Sequence, residues 1–218
     1  MDEGFTLPSG GFADRAEAGR LLAAALRDLE GEVVVLAIPR GGVPVAAEIA
    51  RRHGWPLDVV IPRKVGAPGN PELGLGAIAP GVRVLDERII GRLGVPPEYL
   101  EHEIERQEAE IRRRAAVYRR GRPPVDIAGR TAVIVDDGVA TGGTAAAALR
   151  WARAQGAEAA VLAVPVGAPE SLRRLAPEAD RIVALAAPDR FYAVGQWYRD
   201  FDQTSDDEVI RLLEESGE

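Results

Sequence analysis

The chain has 218 residues, no cysteine and a formal net charge of −7. Without cysteine there are no disulfides, thiolate metal sites or cysteine nucleophiles, and with only His53 and His102 a histidine zinc centre has no ligand set. The acidic balance argues against nucleic-acid binding through bulk basicity, and a hydrophobic content of 46% supports a full core for one α/β domain.

No apolar run approaches the roughly 20 residues of a membrane span, and no signal peptide opens the chain. A soluble, cytoplasmic protein is expected, with neither a membrane nor a nucleic acid as partner.

In chain order, Asp14 is placed to cap a helix running to about residue 29, with Leu21, Leu22, Ala25 and Leu26 on its apolar side. Residues 32–38 (EVVVLAI) read as a buried strand, 39–42 as a turn, 43–53 as a helix and 57–61 as a second strand. Residues 62–73, rich in proline, glycine and charge, read as a loop. Short strands at 76–78 and 82–85 suggest a hairpin around Pro80-Gly81, and 96–120 contains a long charged helix. A strand at 131–136, a helix at 145–154, a strand at 159–164, a short helix at 170–175, a strand at 180–185 and a helix at 208–215 complete the pattern.

Strands alternating with helices imply an α/β fold with a parallel sheet covered by helices on both faces. Ligands of such sheets bind beyond the carboxyl ends of the strands. Residues 39–42, 63–73, 136–144 and 165–169 all lie at such ends, so four chemically loaded loops are expected on one rim.

The most informative stretch is 133–144, a buried strand ending in Asp136-Asp137 and followed by Gly138-Val139-Ala140-Thr141-Gly142-Gly143-Thr144. Small residues let backbone amides approach a ligand closely, and the start of the following helix adds positive partial charge. A phosphate monoester fits that cup. Two carboxylates beside it would repel a phosphate but suit hydroxyls or a cation, so a sugar phosphate with vicinal hydroxyls satisfies both. A Walker-type loop would need a lysine before Thr144, where Gly143 stands, and the dinucleotide fingerprint needs a different glycine spacing. The competing reading is an ordinary αβ turn of small residues.

Pro39-Arg40-Gly41-Gly42 is a second candidate anion site, with two glycines, a cation and a helix start. Alone it would be a plain strand–helix turn with a surface arginine; beside the acid motif the anion site is favoured. Arg63-Lys64 sets two adjacent cations over the same rim, and Lys64 is the only lysine of the chain. Aromatic residues, 5% of the chain, concentrate at Phe191, Tyr192, Trp197 and Tyr198. They suit either a stacking platform or a cluster packing the C-terminal segment.

Hydrophobic run, two acids and Thr-Gly-Gly-Thr together resemble the phosphoribosyl-pyrophosphate (PRPP) motif of type I phosphoribosyltransferases. The resemblance implies one domain over 1–218, with its core at about 31–187, a helical insertion at about 86–120 and a small hood at about 188–205. It implies transfer of ribose 5-phosphate from PRPP to a nitrogen acceptor, with Mg²⁺ as cofactor and release of pyrophosphate. Ala140, Thr141, Gly142, Gly143 and Thr144 would hold the 5′-phosphate, and Arg40, Gly41 and Gly42 the pyrophosphate. Asp136 and Asp137 would hold ribose hydroxyls or metal-bound waters. Arg63 and Lys64 would belong to a flexible catalytic loop.

Phe191, then Tyr192 or Trp197, would stack on the base beneath the hood. The family's loop at 39–42 often holds a cis peptide, expected here at Pro39–Arg40 or Arg40–Gly41. Hypoxanthine- and guanine-type members carry an acid where this chain has Ala140, so the acceptor is left open. The charged insertion helix is the expected contact of a homodimer. A PRPP-sensing regulator without turnover is the alternative function.

Overall fold

A computed structural model of the chain describes residues 10–216; the outermost residues of the expected 1–218 domain lie outside that range. Helix α1 (Arg15–Ala25) begins where Asp14 accepts a hydrogen bond from the amide of Glu17 at 2.7 Å. Strand β1 (Val33–Ala37) leads into α2 (Gly42–His53), which ends at Gly54 with φ 69°. That left-handed conformation favours glycine at a helix C-terminus. Strand β2 (Leu57–Val59) follows. The second half contributes β6 (Thr131–Val135), α5 (Gly143–Ala154), β7 (Ala159–Val166), α6 (Pro169–Leu175), β8 (Arg181–Ala186) and α7 (Asp206–Glu215).

Strands β2, β1, β6, β7 and β8 form one parallel sheet in that order. Alternate residues feed opposite cores, as a period of two requires. Val33, Val35, Ala37, Val133 and Val135 face α1, α2 and α7, while Val34, Leu36, Ala132, Ile134 and Leu162 face α5 and α6. Both faces are thus covered, and the near-continuous β-branched strands follow from that double burial. Parallel β1 and β6 run level, pairing Val33 with Thr131 and Ala37 with Val135. Their carboxyl ends, and the loops that follow them, therefore emerge side by side.

The segment after β2 differs from its expected form, while the stretch at 86–120 is helical as expected. Residues 63–73 are not a loop: β3 (Arg63–Ala67) and β4 (Asn70–Ala79) pair antiparallel around a turn at Pro68-Gly69, and β5 (Val82–Leu85) adds a third strand. The glycines that read as breakers mark close approaches instead. A Cβ on Gly66 would lie 2.8 Å from Pro71 Cα, and Gly76 has φ 148° against the backbone of Val84 and Leu85. This small sheet rests on α5, where Ala77 and Ala79 meet Ala147. Helix α3 (Glu87–Leu93), capped by Asp86, and α4 (Pro97–Arg119) complete the insertion.

Asp58 joins the insertion to the main sheet. Its buried carboxylate accepts from Arg119 Nε at 2.9 and 3.1 Å, Val59 N at 2.7 Å and Val125 N at 3.0 Å. Replacing it with alanine would leave the guanidinium of Arg119 without its counter-charge in a largely buried position, held only by the bond from Nη2 to Val59 O at 2.8 Å. Asp58→Ala is expected to cost about 3 kcal/mol, seen in scanning calorimetry as a melting temperature lower by on the order of 10 °C.

Candidate active site

The acid pair sits at the carboxyl end of β6. Asp136 Oδ1 accepts from the amide of Asp137 at 2.9 Å. Asp137 Oδ2 accepts from Arg15 Nε and Nη2, each at 2.9 Å, with side chains 12% and 14% exposed. Burial, reinforced by the charge of Asp137, raises the Asp136 pKa well above the ordinary carboxylate range. Burial also raises that of Asp137, and the Arg15 guanidinium opposes the shift. The two acids are therefore unequal: Asp137 is in direct contact with the Arg15 guanidinium, while Asp136 feels its charge only at longer range.

The next residues form a tight loop between β6 and α5. Val139 is tied into the end of β7, donating to Val166 O at 2.9 Å and accepting from Ala168 N at 2.8 Å. Ser171 Oγ donates to Ala140 O at 2.6 Å, and Arg174 Nη2 to Thr141 O at 3.3 Å, so α6 holds the loop by its carbonyls. Gly142, at φ 80°, turns the chain abruptly into α5, a conformation that costs a side-chain-bearing residue energy. The first amides of a 12-residue helix have no intrahelical acceptors and carry positive partial charge. Residues 140–144 can thus take a phosphate by backbone donors alone.

The loop after β1 packs directly on the acids. A Cβ on Gly41 would overlap Asp137 Oδ2 and lie 2.6 Å from Asp137 Cγ; one on Gly42 would lie 2.5 Å from Val135 O and 2.9 Å from Asp136 Cα. The Pro39–Arg40 peptide is cis, as the resemblance suggested. Arg40 Nη1 lies 3.5 Å from Asp206 Oδ1 at the start of α7, and the same carboxylate oxygen accepts from Tyr118 Oη at 2.9 Å. Arg40, Gly41 and Gly42 are therefore brought together with Asp136, Asp137 and the 140–144 loop on one rim.

Arg63 and Lys64 are not brought to that rim as a pair. They are consecutive residues of a strand and project to opposite faces. Arg63 Nε donates to Gln107 Oε1 at 2.9 Å on α4, and Gln107 in turn donates to buried Glu103 at 2.8 Å. Burial, with the charge of Arg114, lowers the Arg63 pKa. Lys64 is exposed, its stem against Gly74 of β4. The expected flexible loop with two adjacent cations folding over the site is replaced by a paired strand.

The hood contains a 3-10 turn at Val194–Trp197, and Val194 fills the space beside Gly138. Phe191 and Trp197 stack with centroids 6.4 Å apart, and the indole N–H of Trp197 is buried without a hydrogen-bond partner among the described residues. Tyr192 is 85% exposed, apart from that stack.

A second aromatic group takes Tyr198 out of the expected cluster and joins it to Phe12 and Phe201, which no local sequence pattern marks. Phe12, Tyr198 and Phe201 pack in series at 5.4 and 5.1 Å, and Tyr198 Oη donates to Asp137 O at 2.6 Å. Burial and the charge of Asp137 push the Tyr198 hydroxyl pKa up, so it remains a donor. Arg15 is equally unmarked, because nothing in the sequence separates it from other helix-surface arginines.

Among the described residues, no helix is long and apolar enough to cross a membrane. The profile of the phosphoribosyl transferase domain matches residues 13–187. A Mycobacterium tuberculosis H37Rv protein, Rv0571c, provisionally named a phosphoribosyl transferase, is 51% identical over 205 residues, which is 93% of this chain and 46% of the relative. The chain thus spans about half the length of the curated relatives it matches.

TT1426 from Thermus thermophilus superposes with a TM-score of 0.80 at 48% identity, over 94% of this chain and 98% of that one. A Neisseria gonorrhoeae protein solved with bound ppGpp shares the fold at a TM-score of 0.52 and 14% identity, over 97% and 96% of the two chains. With acid pair, glycine loop and parallel sheet in this order and this geometry, the chain belongs to the phosphoribosyl transferase domain family and has the type I phosphoribosyltransferase fold.

Proposed function

We propose that this chain transfers ribose 5-phosphate from PRPP to a nitrogen acceptor. The bond from the ribose anomeric carbon to pyrophosphate would break, a bond to the acceptor nitrogen would form, and pyrophosphate would leave. One observation carries the reading: the glycines of the 39–42 loop lie in contact distance of the acid pair that precedes the phosphate cup. A donor with phosphate at one end, hydroxyls in the middle and pyrophosphate at the other matches that sequence of groups. Residues 140–144 would fix the 5′-phosphate and the reacting carbon's orientation. Arg40 would stabilise charge building on the leaving pyrophosphate.

A magnesium ion fits the donor set in one way only. Among the described residues there is no cluster of three or more His, Cys, Asp or Glu able to cage a metal. Asp137 is engaged by Arg15, which leaves Asp136 as the hard-oxygen group to hold a hydrated ion together with the donor's own oxygens. When bound, the ion would neutralise the pyrophosphate as it departs. Ala140 offers no group to take the acceptor's proton, which favours an acceptor that loses it to solvent or to another acid of the rim.

Calorimetric titration with PRPP, with and without Mg²⁺, tests the donor site. Mg²⁺-dependent binding in the micromolar range, about −8 kcal/mol, is the expected result; no binding in either condition would overturn the reading. A PRPP-binding regulator without turnover is the second reading. The Arg15–Asp137 ion pair favours it, because it occupies one of the two acids that turnover would use. Pyrophosphate release in the presence of a nucleobase panel separates the two.

A further inference from the structure

Arg15 opens α1 and lies outside every motif, yet it touches three parts of the molecule at once. Its Nε and Nη2 hold Asp137 Oδ2. Its Nη1 donates to Asp202 O at 2.7 Å. Its guanidinium carbon sits 3.9 Å from the ring centroid of Phe201. The chain just before Arg15 is laid against the same segment: Phe12 N donates to Trp197 O at 2.8 Å, Arg199 N to Phe12 O at 2.9 Å and Asp200 N to Ala13 O at 2.9 Å. Tyr198 completes the arrangement from the other side, through its bond to Asp137 O. Residues 198–202, within the hood, are therefore held to the second acid of the motif by one guanidinium and one phenol.

We propose that Arg15 is a positioning residue that couples the donor site to the hood: the guanidinium that fixes Asp137 also clamps residues 198–202, so occupancy of the acid pair is transmitted to the segment that closes over the acceptor. The inference deepens the phosphoribosyl transfer reading and rests on it. The geometry calls for arginine in particular. A planar fork can serve a carboxylate on one edge, a carbonyl on another and an aromatic ring on its face. An ammonium could keep the charge opposite Asp137 but, with a single nitrogen, could not serve all three partners at once. A shift of the Asp137 carboxylate as ligand charge arrives must move Arg15, and with it Asp202 and Phe201. Coupling of this kind is reciprocal, so acceptor closure would in turn tighten donor binding.

Hydrogen exchange of the full chain, free and with Mg²⁺ and PRPP, tests this in wild type, Arg15→Lys and Arg15→Ala. Lysine retains the counter-charge of Asp137 and guards against an unfolded alanine variant. In wild type, ligand is expected to slow exchange at 138–144 and at 194–205 together. In Arg15→Lys, protection at 138–144 should persist, while the ligand-induced protection at 194–205 falls on the order of 10-fold, within the usual range of coupling between sites.

Hood protection in Arg15→Lys equal to wild type would overturn the proposal. Loss of protection at both segments would also overturn it, since Arg15 would then act on the donor site alone. Absence of protection at 138–144 in wild type would instead remove the donor reading, and the coupling with it.

Discussion

Gly41→Ala is expected to weaken Mg²⁺-dependent PRPP binding on the order of 100-fold, about 2.7 kcal/mol, while leaving the fold standing. The reason is spacing and not backbone freedom. Gly41 has φ −61° and ψ −33°, an ordinary helical conformation for any residue. A methyl group there would overlap the carboxylate of Asp137, which is the movable end of a side chain. The carboxylate would swing aside, and the Arg15 ion pair with it. Gly42→Ala is the harsher change, because its methyl meets Val135 O and Asp136 Cα, both backbone. Nothing there can rotate away, so β6 and the start of α2 must separate. That variant is expected to lose donor binding and about 3 kcal/mol of stability. Calorimetric titration and thermal melting of both variants check the pair. Wild-type PRPP affinity in Gly41→Ala would contradict the placement of the pyrophosphate loop against the acids.

How far the fold could be read from sequence depended on what each glycine was doing. The main sheet was legible because β1, β6 and β7 are continuous apolar runs bounded by turns, the pattern of strands buried on both faces. The strand pair β3–β4 was not. Gly66, Gly69, Gly74 and Gly76, with Pro68 and Pro71, punctuate it so heavily that local reasoning returns a loop. Tertiary contact reverses the inference: glycine at 66 and 76 admits neighbouring backbone into a tightly packed sheet. Asp58 did carry a signal, since a carboxylate within the apolar run Leu57-Asp58-Val59-Val60 requires a buried partner. Its partner Arg119 is 61 residues away and could not be named from spacing.

The site divides in the same way. Asp136, Asp137, residues 140–144 and residues 39–42 lie on loops whose position follows from strand order alone, and the structure gathers them on one rim. Arg63 and Lys64 were linked by adjacency in sequence, and adjacency within a strand sends them apart. The aromatic residues near the C-terminus were read as one group and are two: Phe191 with Trp197 in the hood, and Tyr198 with Phe201 beneath Arg15. Only the three-dimensional path of residues 12–15 across the hood distinguishes them.

Replacing both acids, Asp136→Asn with Asp137→Asn, is expected to reduce pyrophosphate release on the order of 10³-fold and to abolish the Mg²⁺ dependence of PRPP binding. Contacts of residues 140–144 to the 5′-phosphate use backbone donors and should survive, so residual metal-independent binding is part of the expected result. The single variants separate charge from structure. Burial already disfavours the ionised form of Asp136, so a neutral amide at 136 is expected not to lower the melting temperature. Asparagine at 137 removes the counter-charge of Arg15, whose side chain is 12% exposed, and is expected to cost about 3 kcal/mol. A loss of activity in Asp136→Asn with an unchanged melting curve would therefore report on chemistry and not on folding. Full activity in the double variant, with intact circular dichroism, would rule out the acid pair as the group that holds ribose and metal, and the phosphoribosyl transfer mechanism built on it would have to be abandoned.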